Sequence, residues 1–304
     1  MKWLSDLSKQ WLCAAFVLCL TAFSPAIAQN FKSGSFTTSD GVKLNYLEAG
    51  SGPVMVLIPG WSQTAIQFKH QLAGLSDKFR VIALDMRGHG DSDKPKHGYR
   101  IHRLSADVHE FLVGKNLKNV VLGGHSMGGY GGARIAMKYP YVFSAVYLQS
   151  SCCLGANVNM RPEQFAAFDS IKTLDDLAKA GRGPNTLVAE AAAWSPNPKN
   201  PPFFVDLPVK DGKVQPSVVA KWAANAPLAM VDQYLGHLKK LKALGLEVGL
   251  QDSLIGSNKQ LDETLSLFAV PHTFETYEGD HTNRIAERTE KNMLPFFTRH
   301  LQFQ

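Results

Sequence analysis

Apolar residues along this chain arrive in two rhythms. One is a set of short, largely apolar runs: Val54 to Ile58, Arg80 to Leu84, Asn119 to Gly123, Val142 to Leu148 and Leu246 to Leu250. Their length and β-branched content fit strands buried on both faces. The other is helical spacing, over about Thr64–Leu75, Leu104–Val113, Gly129–Tyr139 (stopped by Pro140), Lys259–Phe268 and Arg284–Leu301. Leu228, Val231, Leu235, Leu238 and Leu241 read as one face of a further helix. At the front, Phe36 to Tyr46 reads as a hairpin turning at Asp40-Gly41, and Thr273 to Tyr277 as a last strand. Strands and helices alternating over short loops predict a mostly parallel sheet with helices on both faces.

The alternation breaks at Cys152. From there to about Ala226 the chain is rich in proline, Pro184, Pro196, Pro198, Pro201, Pro202, Pro208 and Pro216 among them, with short helical pieces between. Such an insertion after a strand's carboxyl end predicts a lid or cap over that edge. The expected organisation is a core of residues 29–151 and 227–304 with an inserted lid, 152–226. Phe165, Phe168, Trp194, Phe203, Phe204 and Trp222 either line an apolar substrate pocket or form the lid's own small core.

The first 28 residues read differently. Lys2 and Lys9 precede an apolar run, Trp11 to Phe23, too short to span a bilayer, and Ala26-Ile27-Ala28 is an A-x-A cleavage site. The expectation is a removed secretory signal peptide, an exported (periplasmic or secreted) protein and no stable membrane insertion afterwards. Cleavage removes Lys2, Lys9 and Asp6, taking the net charge from +6 to +5. The basic residues are dispersed. The one tight group, Lys239-Lys240-Lys242, is expected at the end of the Leu228–Leu241 helix, so no nucleic-acid partner is expected. The mature chain keeps two cysteines, Cys152 and Cys153, either as a strained vicinal disulfide or as reduced, buried residues. No CxxC or paired Cys/His spacing suggests a metal, and no cofactor is expected.

The chemistry centres on Gly124-His125-Ser126-Met127-Gly128, between a predicted strand and a predicted helix. A sharp strand-to-helix turn exposes its serine, and glycines are needed where the two elements nearly touch. A serine hydroxyl needs a base, and the base an orienting group. His281 follows the last strand after Gly279, which lets the loop bend. His89 lies in a glycine-rich loop and has a structural explanation. His125 is adjacent to Ser126, where side chains on a sharp turn point apart. For the carboxylate, Asp252 follows a strand at the right edge. Asp280 is too near in sequence, Asp232 falls in a helix, and Glu247 starts its strand at the wrong edge. Asp252 has a plainer reading as an N-cap. The backbone N–H groups of Trp61 and Met127 are candidate donors to an oxyanion.

These motifs resemble the α/β-hydrolase superfamily over nearly all of residues 31–301. The resemblance rests on Pro59-Gly60-Trp61, Asp85 to Ser92, Gly124 to Gly129, Asp252 and Gly279-Asp280-His281. It implies a nucleophile at Ser126, an acid at Asp252, a base at His281 and oxyanion donors at Trp61 and Met127. Many members carry histidine where Pro59 stands. Members that act as dehalogenases or epoxide hydrolases carry aspartate where Ser126 stands. The expected function is ester hydrolysis through an acyl-enzyme, on a small ester-like substrate with an apolar part. The same triad serves acyl transfer, lactone or amide hydrolysis, cofactor-free peroxidation and carbon–carbon cleavage, and a scaffold of this kind also occurs as a non-catalytic binding protein.

Overall fold

The computed structural model describes residues 31–155, 168 and 170–300. The expected signal peptide and residues 156–167, with Phe165, lie outside them. In chain order the sheet elements are β1 (Lys32–Thr37), β2 (Lys43–Ala49), β3 (Val54–Ile58), β4 (Arg80–Leu84), β5 (Val120–His125), β6 (Phe143–Gln149), the short hairpin β7 (Val209–Lys210) and β8 (Lys213–Val214), β9 (Ala243–Gly249) and β10 (Thr273–Tyr277). The helices are α1 (Lys69–Leu75, behind a 3₁₀ turn), α2 (Ile101–Gly114), α3 (Met127–Lys138), α4 (Leu174–Lys179), α5 (Arg182–Trp194), α6 (Pro216–Asn225), α7 (Leu235–Leu238), α8 (Ile255–Leu267), α9 (Ile285–Arg288) and α10 (Leu294–His300).

Eight strands form one sheet in the order β1-β2-β4-β3-β5-β6-β9-β10. The β1–β2 and β2–β4 pairs are antiparallel, and the rest are parallel. The apolar runs show why both faces are covered. Val56 and Ile58 of β3 pack with Phe111 of α2, Ile135 of α3 and Leu261 of α8. Their alternate neighbours Met55 and Leu57 pack on the opposite side with Phe68, with Leu72 of α1 and with Phe297 of α10. A period of two with no polar face is the pattern of a sandwiched strand.

The motif from Asp85 to Ser92 is structural. Arg87 is fully buried; its guanidinium grips Asp107 through two 2.8 Å bonds and Asp40 at 2.9 Å. That ties the hairpin turn to α2, and Arg87 holds the Asp40 carboxyl well below the usual range. Asp85 accepts hydrogen bonds from the N–H groups of Ala65 (2.6 Å) and Asp91 (3.0 Å) and from the Asn45 amide (2.9 Å), stitching the loops after β3 and β4 together.

Three expectations need correcting. The stretch from Leu228 to Leu241 is not one helix but two 3₁₀ turns, Pro227–Ala229 and Asp232–Tyr234, followed by the one-turn α7. Its apolar spacing of mostly three residues suits 3₁₀ turns, and Gly236 weakens a continuous helix. Lys239, Lys240 and Lys242 therefore follow a single turn, not the end of a long helix, and Lys242 already donates to Ser144 on the way into β9. The C-terminal helix is interrupted by a π turn, Thr289–Met293, between α9 and α10. Pro295 lacks the N–H that an α-helical register would use there.

Glu247 is the third. It does not start its strand but lies fifth in β9, which begins at Ala243, and it is fully buried. Arg288 binds its carboxylate at 2.7 Å, Tyr147 donates to it at 2.8 Å and Gln149 at 2.9 Å. A buried charge with that many partners is a structural pin.

Candidate active site

The sheet order places the site. The chain leaves β3 for β4 on one side, then returns to add β5 on the other. Neighbouring loops diverge at such a reversal and leave a crevice at the strands' carboxyl ends. Trp61 follows β3 and Ser126 follows β5, so both stand at that crevice. Ser126 has φ 56° and ψ −115°, a strained conformation for a residue with a side chain. The glycines around it are needed for close approach. A Cβ on Gly124 would lie 2.2 Å from the Gly128 carbonyl oxygen, and one on Gly128 would lie 2.0 Å from the Ile58 oxygen. Both obstacles are backbone, so neither can swing away. Gly128→Ala is expected to destabilise the protein by about 3 kcal/mol or more, at the upper end of overpacking costs, as read by chemical denaturation. A loss under about 1 kcal/mol would show that α3 can slide relative to β3.

Asp252 and His281 converge. They follow β9 and β10, which pair in parallel. Their loops are locked by Gln251 N–H donating to Gly279 O at 3.0 Å and Gly279 N–H donating to the Gln251 side chain at 2.7 Å. Asp252 Oδ2 accepts from His281 Nδ1 at 2.8 Å, with the carboxylate side chain fully buried and the ring a quarter exposed. Oδ1 accepts from Leu254 N–H at 2.9 Å. The imidazole-orienting reading of Asp252 is met; the N-cap reading is not, since α8 begins after Leu254 and carries no side-chain cap. Burial pushes this carboxyl up, but the hydrogen bonds from His281 and Leu254 outweigh it and hold it below its ordinary value. Asp280, the rival, accepts from the N–H groups of Thr282 and Asn283 in its own loop.

Ser126, Met127, Trp61 and His281 line one cavity of about 1060 Å³. The ring of His281 makes no hydrogen bond to Ser126 Oγ among the described residues. Catalytic hydrogen bonds of unliganded sites commonly tighten only around substrate. The N–H groups of Trp61 and Met127 have no hydrogen-bond acceptor among the described residues, and Met127 is the first residue of α3. Two free donors, one of them at a helix start, suit a developing anion.

The sequence reading missed His125. Its ring does not merely point away from Ser126. Nε2–H donates to the His281 carbonyl at 2.9 Å, and the two imidazoles lie 4.8 Å apart. It braces the loop that carries the candidate base. With Nε2 donating, Nδ1 is a bare acceptor, buried without a hydrogen-bond partner. Burial, and to a lesser degree the neighbouring His281, pushes His125 down to about 4, against opposing effects of the His281 carbonyl and Asp252. The unfolded chain then binds one proton more than the folded one between pH 4 and 6.5. This contribution to stability is full above pH 6.5 and is lost as pH falls toward 4, about 3 kcal/mol in all. Denaturation of wild type and His125→Asn across that window should show the wild type losing that much more. Parallel curves would mean that His125 charges freely in the fold.

The segment between β6 and β9 contributes much of the cavity wall. Phe168, Trp194 and Trp222 line it. Trp194 and Trp222 also belong to a small cluster with Val205 and Val218, against which Phe203 packs, and Phe204 is exposed. The two tryptophans thus serve both the pocket and a local core. Cys152 and Cys153 are free thiols on the same wall, their sulfurs 2.7 Å apart.

Among the described residues there is no group of side chains suited to a metal ion, and no helix long and apolar enough to cross a membrane. A family model for the alpha/beta hydrolase fold matches residues 53–227. The chain belongs to the α/β-hydrolase family. A 2-(acetamidomethylene)succinate hydrolase from Mesorhizobium japonicum is 33% identical over 47% of this chain and 54% of its own length. Epoxide hydrolase 4 from Mus musculus is 36% identical over 33% of this chain and 29% of its own. The chain thus spans about half, or less, of these curated relatives. An epoxide hydrolase structure from Vigna radiata superposes with a TM-score of 0.60 at 18% identity, covering 90% of this chain and 99% of that one. A structure of E-2-(acetamidomethylene)succinate hydrolase gives 0.56 at 22%, covering 88% and 99%. These likenesses carry the fold alone.

Proposed function

We propose that this chain is an exported serine hydrolase that cleaves a carboxylic ester through an acyl-enzyme. The observation that carries the reading is the 2.8 Å bond between His281 Nδ1 and buried Asp252, on a ring that shares its cavity with Ser126. Ser126 Oγ attacks the ester carbonyl while His281 Nε2 takes its proton. The N–H groups of Trp61 and Met127 hold the tetrahedral oxyanion. Collapse breaks the bond to the alcohol, which leaves with the proton from the imidazolium. Water, deprotonated by the same ring, then releases the acid and restores the hydroxyl. Asp252 fixes the ring's tautomer throughout.

The epoxide hydrolase names among the relatives are not carried over, because Ser126 stands where such members resemble one another in using aspartate. The segment from Cys152 to Ala226 acts as a lid in this reading, since its side chains wall the cavity. Labelling by a fluorophosphonate, lost in Ser126→Ala, tests the nucleophile, and a panel of p-nitrophenyl esters of rising chain length tests the reaction. Wild type that takes no label and cleaves no ester would sink the reading. Export is tested by the N-terminus of the protein recovered outside the cytoplasm, expected at Gln29.

A further inference from the structure

Glu190 is a carboxyl group in the cavity wall. Apart from His281, it is the only ionisable acid or base other than tyrosine and cysteine among the described residues lining the cavity; no lysine or arginine lines it there. It lies in α5 four residues before Trp194, so the two share one face of the helix. Both reach the cavity. The Trp194 ring meets that of Trp222 edge to face, with centroids 5.0 Å apart and planes at 81°. Both indole N–H groups are engaged, Trp194 with the Tyr130 hydroxyl at 2.9 Å and Trp222 with Ser195 at 2.8 Å. The rings are therefore held in place, and both line the cavity.

The carboxyl itself is poorly served. Its one described hydrogen bond is from the Cys153 thiol at 3.5 Å, and a thiol is a weak donor. Burial pushes Glu190 up, with the thiol opposing only in part. Arg134, 5.7 Å from the Tyr130 ring, does not answer this charge. It is instead buried, bonded to the Asn225 carbonyl, and does not line the cavity. A carboxyl group with no cation among the described lining residues, sharing its cavity with two fixed indole rings, is an arrangement that recognises an ammonium group, whose binding would hold it ionised.

We propose that Glu190, Trp194 and Trp222 form a subsite for an ammonium head group, so that the substrate is a cationic ester. That the head group belongs to a substrate rests on the acyl-transfer reading above. The subsite itself is a matter of binding, which can be measured without turnover.

The probes are choline and 3,3-dimethylbutan-1-ol, which have the same shape and differ in charge. Calorimetric titration of the wild-type protein is expected to show choline binding about ten-fold tighter or more. In Glu190→Gln the ratio should fall to within about two-fold, and in Trp194→Leu it should fall as well. Equal affinities in wild type, or no detectable choline binding, would overturn the proposal. So would a preference that survives Glu190→Gln. The kinetic counterpart compares p-nitrophenyl 4-(trimethylammonio)butanoate with the neutral 5,5-dimethylhexanoate ester, read as the ratio of kcat/KM within each variant. Failure of Ser126 labelling would overturn the acyl-transfer reading alone, and the choline titration would still decide the subsite.

Discussion

Ser126→Ala is expected to lower kcat by on the order of 10⁴- to 10⁶-fold with little change in KM. Removing the nucleophile of a serine triad leaves only the residual catalysis of oxyanion donors and binding. The substitution is also a clean one here. Ser126 Oγ makes no hydrogen bond among the described residues, so deleting it orphans no partner. Alanine inherits the backbone at φ 56° and avoids none of its strain. Stability should therefore stay within about 0.5 kcal/mol of wild type, the usual range for a change that breaks no contact. Fluorophosphonate labelling and hydrolysis should vanish together in a protein that melts as before. A variant that keeps more than about a tenth of kcat would move the nucleophile elsewhere, and the Cys152 and Cys153 thiols on the same wall would be next to test.

Most of the frame was legible in the sequence because it is written in local patterns. Runs such as Val54 to Ile58 are apolar at every position, which only a strand covered on both faces can satisfy. Ser126 was legible because the elbow needs small residues at fixed offsets, and the close approaches at Gly124 and Gly128 show the need. Asp252 and His281 were singled out by asking which acid and which base emerge at one edge in the right order, and the structure brings their side chains together. What escaped is what depends on contacts between distant segments. Nothing near His125 says that its ring reaches the His281 carbonyl, 156 residues on. Glu247 was misplaced because the start of β9, Ala243-Leu244-Gly245, does not stand out from the lysines before it. The apolar positions from Leu228 to Leu241 misled because spacings of three and four fit both helix types over so short a stretch. Glu190 carries no local signal at all. Its environment is made by α5, α6 and the turn after β6, which come together only in the fold.

Asp252→Asn is expected to cost about 10⁴-fold in kcat, the second-largest effect, through the ring rather than through the fold. In the wild type Asp252 Oδ2 accepts the proton on His281 Nδ1, which leaves Nε2 free to receive one from Ser126. The hydrogen bonds from His281 and Leu254 hold this carboxyl low, so it stays ionised through neutral and mildly acidic pH. An asparagine oxygen can go to only one of the two donors. Leu254 N–H is a fixed backbone group and claims it, as Oδ1 does now at 2.9 Å. The amide NH₂ then faces Nδ1 and donates to it, so the ring carries its proton on Nε2. A base protonated there cannot take another from a hydroxyl. The expected signature is a protein that melts within a few degrees of wild type and binds substrate analogues as before, but acylates slowly. NMR of the imidazole should place the ring proton on Nε2 in the variant and on Nδ1 in the wild type. A variant that keeps its rate, or a ring proton that stays on Nδ1, would mean that the His281 tautomer is set by another group, and the His125 bond to the His281 carbonyl would be the first to examine.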